Sequence, residues 1–393
     1  MTTAIDQILS QGSPNRSEWI AAFVAFATAS LLLPVVIRLC ARWKHFDPAG
    51  PLKIHARNTP RLGGVAMAPA LALGIALGAA WGGISPSQSW MPTWWPFFAA
   101  FFVVWAAGVA DDVRRLSPLV RFAAQVGAAA MLWHGGWRIP FTGDSALGLA
   151  ALCLFVVGFA NAFNFLDGAD GLAAGVAGIA GAGYLVALHG AITLPIAAVS
   201  AALTAACAAF LLWNFPPAKI FLGDSGSTVL GFTVAFLSLD FWRATELAAG
   251  TSVHSIFAAQ SRAVELLLFP FCIALLPLTD ATLAILRRLL RGGSPFRGDR
   301  SHFYDLLLDR GWSQRNVALL CYGIAAGLAL VAWTGLRFGT DVSLAGFGAS
   351  ACSLGAWMIH LGALRAQEGL ETKPGERIAS RGPAEQRRSV EGL

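Results

Sequence analysis

The chain has 393 residues, 56% of them apolar and 13% charged, with a mean hydropathy of +0.61 and a net charge of +6. This balance excludes a soluble globular protein and marks a chain that crosses a membrane repeatedly. The positive surplus follows from where the basic residues fall between spans, so it does not argue for a nucleic-acid partner.

Apolar windows of bilayer-crossing length fall at 18–40, 63–84, 95–110, 119–134, 147–166, 172–188, 192–213, 226–242, 262–286, 316–336 and 342–364. They predict an all-α, polytopic integral membrane protein with about eleven (10–11) transmembrane helices, in one catalytic domain over 18–365. The tail 366–393, rich in Glu, Arg, Pro, Gly and Ser, reads as disordered. Residues 1–17 lack the order of a cleaved leader, so the first span is expected to direct insertion. Of the 28 Lys and Arg residues, all but Arg16, Arg138, Arg243, Arg262 and Arg337 fall on one set of loops. Positive loops stay in the cytoplasm, which puts the N-terminus outside and the C-terminus inside. Trp90, Trp94, Trp95, Trp133, Trp137 and Trp242 fall near external span ends, as an interfacial belt would. The six cysteines lie within or at the ends of spans without paired spacing, so neither disulfides nor a zinc site are expected.

In chain order, the first basic loop runs from Lys53 through His55, Arg57 and Arg61 to Gly63-Gly64, where a helix begins. Cations beside a helix N-terminus suit a phosphate, although the same charges also serve to set topology. The third span ends in Asp111-Asp112, at the negative end of its helix, where anions are disfavoured. Their compensation is either Arg114 and Arg115 as a surface cluster, or a divalent cation or shared proton.

Between spans five and six lies Asn161-Ala-Phe-Asn-Phe-Leu-Asp-Gly-Ala-Asp-Gly171. Asn161, Asn164, Asp167 and Asp170 recur every third residue, so neighbours in the series share a helix surface. The first and last would point apart on a straight helix, so the helix is expected to end or tighten near Gly168. Carboxylates at a span end, with no local Lys or Arg, are functional candidates. The glycines that follow suit close helix packing.

Asp224, in Gly223-Asp-Ser-Gly-Ser227, is either an N-cap or a carboxylate that its flanking glycines leave open to a ligand. Asp280 is expected to pair with an arginine one or two turns on. The last loop joins Arg297, Arg300 and His302, as a solvated basic segment or as donors for a pyrophosphate. Five carboxylates (Asp111, Asp112, Asp167, Asp170 and Asp224) and two basic loops thus map to one membrane face. Acids and cations gathered around phosphates are what magnesium-assisted phosphoryl transfer requires.

These segments, in this order, resemble the polyprenyl-phosphate N-acetylhexosamine-1-phosphate transferases over about residues 30–365. The central Asn-Ala-Phe-Asn and the single His302, in His302-Phe-Tyr-Asp305, look more like the enzymes that start O-antigen or enterobacterial common antigen chains than like phospho-MurNAc-pentapeptide transferase. Many of the nearer relatives carry His-Ile-His-His in this last position, a departure that bears on which sugar is read. The resemblance implies transfer of N-acetylhexosamine-1-phosphate from a cytosolic UDP-N-acetylhexosamine to undecaprenyl phosphate, with release of UMP, at the cytoplasmic face of a bacterial inner membrane. It implies Mg²⁺, with Mn²⁺ as a substitute, held by Asp224 and Asn164. Asp111 and Asp112 would position or deprotonate the lipid phosphate, or one would act as nucleophile. Asp167 and Asp170 would contact the nucleotide or order the site, and Lys53, Arg121, Arg300 and His302 would bind the two phosphate groups. GlcNAc, FucNAc and QuiNAc all fit as the sugar, and a homodimer is compatible with the family.

The competing readings are phospho-MurNAc-pentapeptide transfer, a glycosyltransferase releasing UDP, a silent scaffold and a membrane transporter. A transporter would place its acids near the bilayer midplane in broken, repeat-related helices. Here they gather at one surface.

Overall fold

The computed structural model describes residues 16–43, 46–47, 59–81, 91–187, 195–249, 263–295 and 299–364. Lys53, Arg297, Trp90, the leader reading of 1–17 and the tail from 366 fall wholly or largely outside these residues. The described helices are α1 (Arg16–Arg42), α2 (Gly63–Trp81), α3 (Met91–Arg114), α4 (Pro118–His134), α5 (Ala146–Leu166), α6 (Leu172–Ala187) and α7 (Pro195–Asn214). They continue with α8 (Asp224–Ala249), α9 (Ala263–Ile273), α10 (Leu275–Leu290), α11 (Phe303–Asp309), α12 (Gln314–Phe338) and α13 (Thr340–His360). Two short strands, β1 (Phe46–Asp47) and β2 (Thr59–Pro60), pair antiparallel between α1 and α2.

Among the described residues, every predicted window is helical over most of its length. By length and composition, seven helices among the described residues can each cross a membrane, α1, α2, α3, α5, α7, α12 and α13, and the pair α9–α10 makes an eighth if it counts as one span. The protein is therefore an all-α, multi-pass membrane protein. Helices α4 and α6 are shorter, at 17 and 16 residues.

Helix α8 is the centre of the bundle, packed against α2, α3, α5, α6, α7 and α9. Surrounded in this way, it buries Ser227, Thr228, Thr233 and Ser238 among apolar side chains such as Phe232 and Phe236. Each of these hydroxyls donates to the carbonyl four residues back, so none needs water.

The N-terminal end of α8 is reached because its neighbours lack side chains there. A Cβ at Gly64 of α2 or at Gly108 of α3 would collide with the backbone around Ser225. The backbone amides of Gly63 and Gly64 donate to the carbonyls of Phe221 and Leu222 at 2.9 and 2.8 Å, and the Phe221 amide donates to Pro60. The start of α2, expected from its loop to offer amides to a phosphate, instead spends these two on the segment leading into α8.

Two further expectations are corrected. The window 262–286 is not one straight helix: α9 and α10 meet at an angle of 71° around Ala274. Pro277 has no amide to offer the Ile273 carbonyl, which lets the chain turn at that step. Of the tryptophans assigned to an interfacial belt, Trp94, Trp137 and Trp242 are buried, while Trp95 is exposed. Trp94 and Trp137 stack edge-on around Phe236, and the Trp137 indole N–H donates to Asp240 at 3.0 Å.

Candidate active site

The ends of α3, α5 and α7 and the starts of α4, α6 and α8 converge on one face of the bundle. The Asp112 side chain is fully buried, and its two oxygens accept the amides of Asp224 and Ser225 at 2.8 and 2.9 Å. An acid disfavoured at the end of its own helix thus lies at the positive end of another. Arg114 and Arg115, expected as one means of compensation, are exposed. The cations that meet the acids are Arg61 and Arg121.

Arg121, on the first turns of α4, points one nitrogen at two carboxylates. Its Nη1 lies 3.0 Å from Asp111 Oδ2 and 2.7 Å from Asp224 Oδ2. Arg61 closes the other side, with Nη2 3.3 Å from Asp224 Oδ1 and Nε 3.5 Å from Asp112 Oδ1. Asp111 also accepts the Leu116 amide at 2.6 Å, in the turn before α4 that Ser117 caps and Pro118 opens. Three carboxylates against two guanidiniums leave one negative charge in a half-buried cluster.

The polar stretch 161–171 crosses the middle of this face. Helix α5 ends at Leu166 with Asp167 as its C-cap, and Gly171 turns the chain at φ +74° before α6. The break predicted near Gly168 is present. Asn161 points back into the bundle, donating to Gln125 Oε1 at 2.7 Å. Asp170 accepts the Ala218 amide and Asn214 accepts the Gly171 amide, each at 2.9 Å, which ties this turn to the loop between α7 and α8. The half-buried side chains of Asn164 and Asp167 are hydrogen-bonded by none of the described residues. Burial, with the charges of Asp224, Asp112 and Asp170, pushes the Asp167 carboxyl well above the usual carboxylate range against the pull of Arg61.

Two tyrosines hold the turn from outside. Tyr304 donates to the Phe165 carbonyl and Tyr322 to the Gly171 carbonyl, both at 2.8 Å. The Tyr304 ring fills the space where a Gly168 side chain would stand.

His302 caps α11 and adjoins this turn. Its ring lies parallel to Tyr304 with centroids 5.4 Å apart, and 5.6 Å from Phe165. Its Nδ1 is 2.7 Å from Asp280 Oδ2, while Asp280 Oδ1 accepts the Phe303 amide. Asp280 therefore pairs with His302 and not with an arginine of its own helix. The arginines go elsewhere: Arg287 and Arg288 both bind Asp299, at 2.8 and 2.7 Å, which holds its carboxyl below the usual range despite burial. Arg300 faces Asp305 and Asp309 at 3.8 and 3.9 Å.

The predicted residues thus form two neighbouring groups, joined by the turn 164–168. Asp111, Asp112, Arg121 and Asp224 make one. His302 makes the other, with Arg300 at its edge. Sequence reading missed Tyr304 and Tyr322 as parts of the site, and it placed Arg61 only in a phosphate-suited loop and Asp280 only beside an arginine, without the partners they have here. Arg61 carried a signal, since it stands two residues before the Gly63-Gly64 pair that seats the loop.

The family described as glycosyl transferase family 4 matches residues 94–241, a stretch that holds Asp111, Asp112, the turn and Asp224. The chain is 34% identical over 292 residues to the decaprenyl-phosphate N-acetylglucosaminephosphotransferase of Mycolicibacterium smegmatis, covering 68% of this chain and 70% of that protein. It is 32% identical over 313 residues to a probable undecaprenyl-phosphate N-acetylglucosaminyl 1-phosphate transferase of Bacillus subtilis, covering 77% and 80%. A phospho-N-acetylmuramoyl-pentapeptide-transferase of Mycolicibacterium paratuberculosis is 31% identical over 368 residues, covering 80% of this chain and 96% of the relative. With the acidic cluster inside the matched segment and relatives of this identity along most of its length, the chain belongs to glycosyl transferase family 4, among the polyprenyl-phosphate N-acetylhexosamine-1-phosphate transferases.

Proposed function

We propose that the protein transfers N-acetylhexosamine-1-phosphate from a UDP-sugar to undecaprenyl phosphate at the cytoplasmic face of a bacterial inner membrane, starting a lipid-linked surface polysaccharide such as O-antigen. The observation that carries this reading is the bridge from Asp111 through Arg121 to Asp224. It gathers, beside a membrane, carboxylates and cations able to meet two phosphate groups at once.

In the reaction, an oxygen of the lipid phosphate attacks the phosphorus that carries the sugar. The new P–O bond forms as the bridging P–O bond breaks, and UMP leaves with the bridging oxygen. Asp111 takes a proton from a lipid phosphate that arrives protonated. Asp112, committed to two amides, holds α8 and so sets where Asp224 stands. Arg61, Arg121 and Lys53 neutralise phosphate charge, and His302 and Arg300 hold the donor.

The residues present fit a magnesium ion. Among the described residues no three His, Cys, Asp or Glu side chains form a ready-made metal cluster. Magnesium, however, takes few protein ligands and completes its shell with water and substrate phosphates. Asp224 and the unengaged Asn164 amide would supply that small set, and the bound ion would neutralise charge on the donor's phosphates.

The second family reading, transfer of a phospho-MurNAc-pentapeptide, draws on the relative covered over 96% of its length. The relatives at 34% and 32% identity, both named for N-acetylglucosamine phosphate transfer, favour the smaller sugar donors, GlcNAc, FucNAc or QuiNAc. One experiment tests both. Purified protein is given undecaprenyl phosphate, Mg²⁺ and a panel of UDP-N-acetylhexosamines that includes the pentapeptide donor. UMP released with one small donor supports the reading and names the sugar. UMP with the pentapeptide donor alone moves the protein to the second reading, and UDP in place of UMP overturns both.

A further inference from the structure

The geometry points to Arg121 as a built-in counter-cation that holds the metal cradle in shape and must leave it when the ion binds, carrying its charge to the lipid phosphate. This rests on the metal reading above and deepens it. A single nitrogen, Nη1, stands 2.7 Å from Asp224 and 3.0 Å from Asp111, carboxylates from two different helices. That is the position of a bridging cation, taken by a side chain.

Arg61 differs from it. It approaches Asp224 and Asp112 from the opposite side at 3.3 and 3.5 Å, on a segment whose following glycines are bonded to the α8 entry. The two side chains are similarly exposed, and what sets Arg121 apart is that a single nitrogen bridges two carboxylates from a flexible side chain near the start of α4, so it is the cation that a bridging ion would replace. Three carboxylates with two guanidiniums tolerate one more cation poorly, because the net charge is already only −1. An ion with charge +2 is accommodated by expelling the mobile +1.

The expelled guanidinium is planar and forked, suited to a phosphate. The Arg121 that leaves the acids is then available to the lipid phosphate, whose attacking oxygen must come near Asp111. Metal and lipid phosphate therefore assist each other's binding through Arg121, and the assistance is reciprocal. Asp111 gains as well: once the guanidinium leaves, one of its oxygens is free for the lipid phosphate.

The test reads metal binding directly, by electron paramagnetic resonance of Mn²⁺ titrated into the purified full-length protein in nanodiscs. Arg121→Met and Arg121→Gln should bind Mn²⁺ at least about fivefold more tightly than wild type, the lower end of ordinary coupling between sites, while losing transferase activity. In wild type, undecaprenyl phosphate should tighten Mn²⁺ binding, and that gain should shrink in both variants. Thermal unfolding identifies any variant that has not folded, and the wild-type lipid titration needs no variant. Equal or weaker Mn²⁺ binding in the folded variants overturns the proposal, as does a wild-type Mn²⁺ affinity indifferent to undecaprenyl phosphate. Asp224→Asn separates the two levels. If wild type and Asp224→Asn bind Mn²⁺ alike, the metal assignment falls and this inference with it. If only wild type binds but the Arg121 variants show no gain, the metal assignment stands and this inference alone fails.

Discussion

Asp112 closes the N-terminus of a helix that begins 112 positions later, receiving the amides of Asp224 and Ser225 while its neighbour Asp111 receives Arg121. Two adjacent aspartates therefore do different work. Removing the Asp112 carboxylate leaves two buried amides without acceptors, at a cost of about 1–3 kcal/mol for a buried group left unsatisfied. Asp112→Ala should accordingly lower the thermal transition as well as the rate. Asp111→Asn should leave the transition near wild type and reduce kcat by about 10²–10⁴, the range of a lost general base. Equal thermal losses in the two variants would show that the division is wrong.

Tyr304 links the two halves of the site. Its hydroxyl holds the Phe165 carbonyl, and its ring occupies the place of a Gly168 side chain. Tyr304→Phe removes a hydrogen bond worth about 0.5–1.5 kcal/mol and leaves the packing. Gly168→Ala drives a methyl into the ring, an overpacking that costs about 1–3 kcal/mol. The alanine variant should raise KM for the UDP-sugar more than the phenylalanine variant does, because it moves the turn against His302. A steady-state comparison decides this, and unchanged KM in both would detach Tyr304 from donor binding.

At the opposite end of α8, Trp137 donates to buried Asp240, and Arg243 lies 4.7 Å over the Trp137 ring. This is a brace remote from the acidic face. Trp137→Phe strands a buried carboxylate oxygen and should destabilise by about 1–3 kcal/mol while leaving kcat within twofold of wild type. A large loss of kcat with normal stability would mean that the two ends are coupled.

What could be read ahead of the structure was whatever broke the apolar pattern locally. The 161–171 stretch interrupts lipid-facing helix, and the break after Leu166 follows from four polar residues spaced at three. Asp224 stood out between glycines. The partnerships could not be read, because they join residues far apart in the chain: Asp112 with the start of α8, Arg121 with Asp224, Asp280 with His302. Nearness in sequence misled for two of them, offering Arg114 for Asp112 and Arg287 for Asp280. Aromatic residues misled in another way. A tryptophan near a span end looks the same whether it meets lipid headgroups or a buried acid, and Asp240 beside Trp137 is visible only once the turn after α4 meets the far end of α8. The bend at Ala274 did carry a signal, the proline at 277, within a window whose apolar run was long enough to hide it.

The Asp280–His302 pair makes stability depend on pH with a defined sign. Burial alone would pull the His302 pKa down, but Asp280, assisted by Asp305 and Asp299, raises it above its ordinary value. The groups facing the ring are Asp280 of α10, Asp305 and Tyr304 of α11, and Asp299, whose carboxylate is already engaged by Arg287 and Arg288. A histidine with a raised folded-state pKa contributes stability that is complete below its unfolded value of about 6.5 and disappears as pH rises through the folded value. Asp305, pushed up to about 6 chiefly by burial and held down by His302 and Arg300, titrates beside the lower end of that window. The thermal transition of wild type should therefore exceed that of His302→Gln by most near about pH 6.5, and the gap should narrow as pH rises through the raised folded value and the imidazole loses its charge. Asp280→Asn should remove the same pH dependence from the other side of the pair. A gap between wild type and His302→Gln that stays constant across this range would mean that the imidazole is neutral throughout and that Asp280 holds it by a hydrogen bond without a charge.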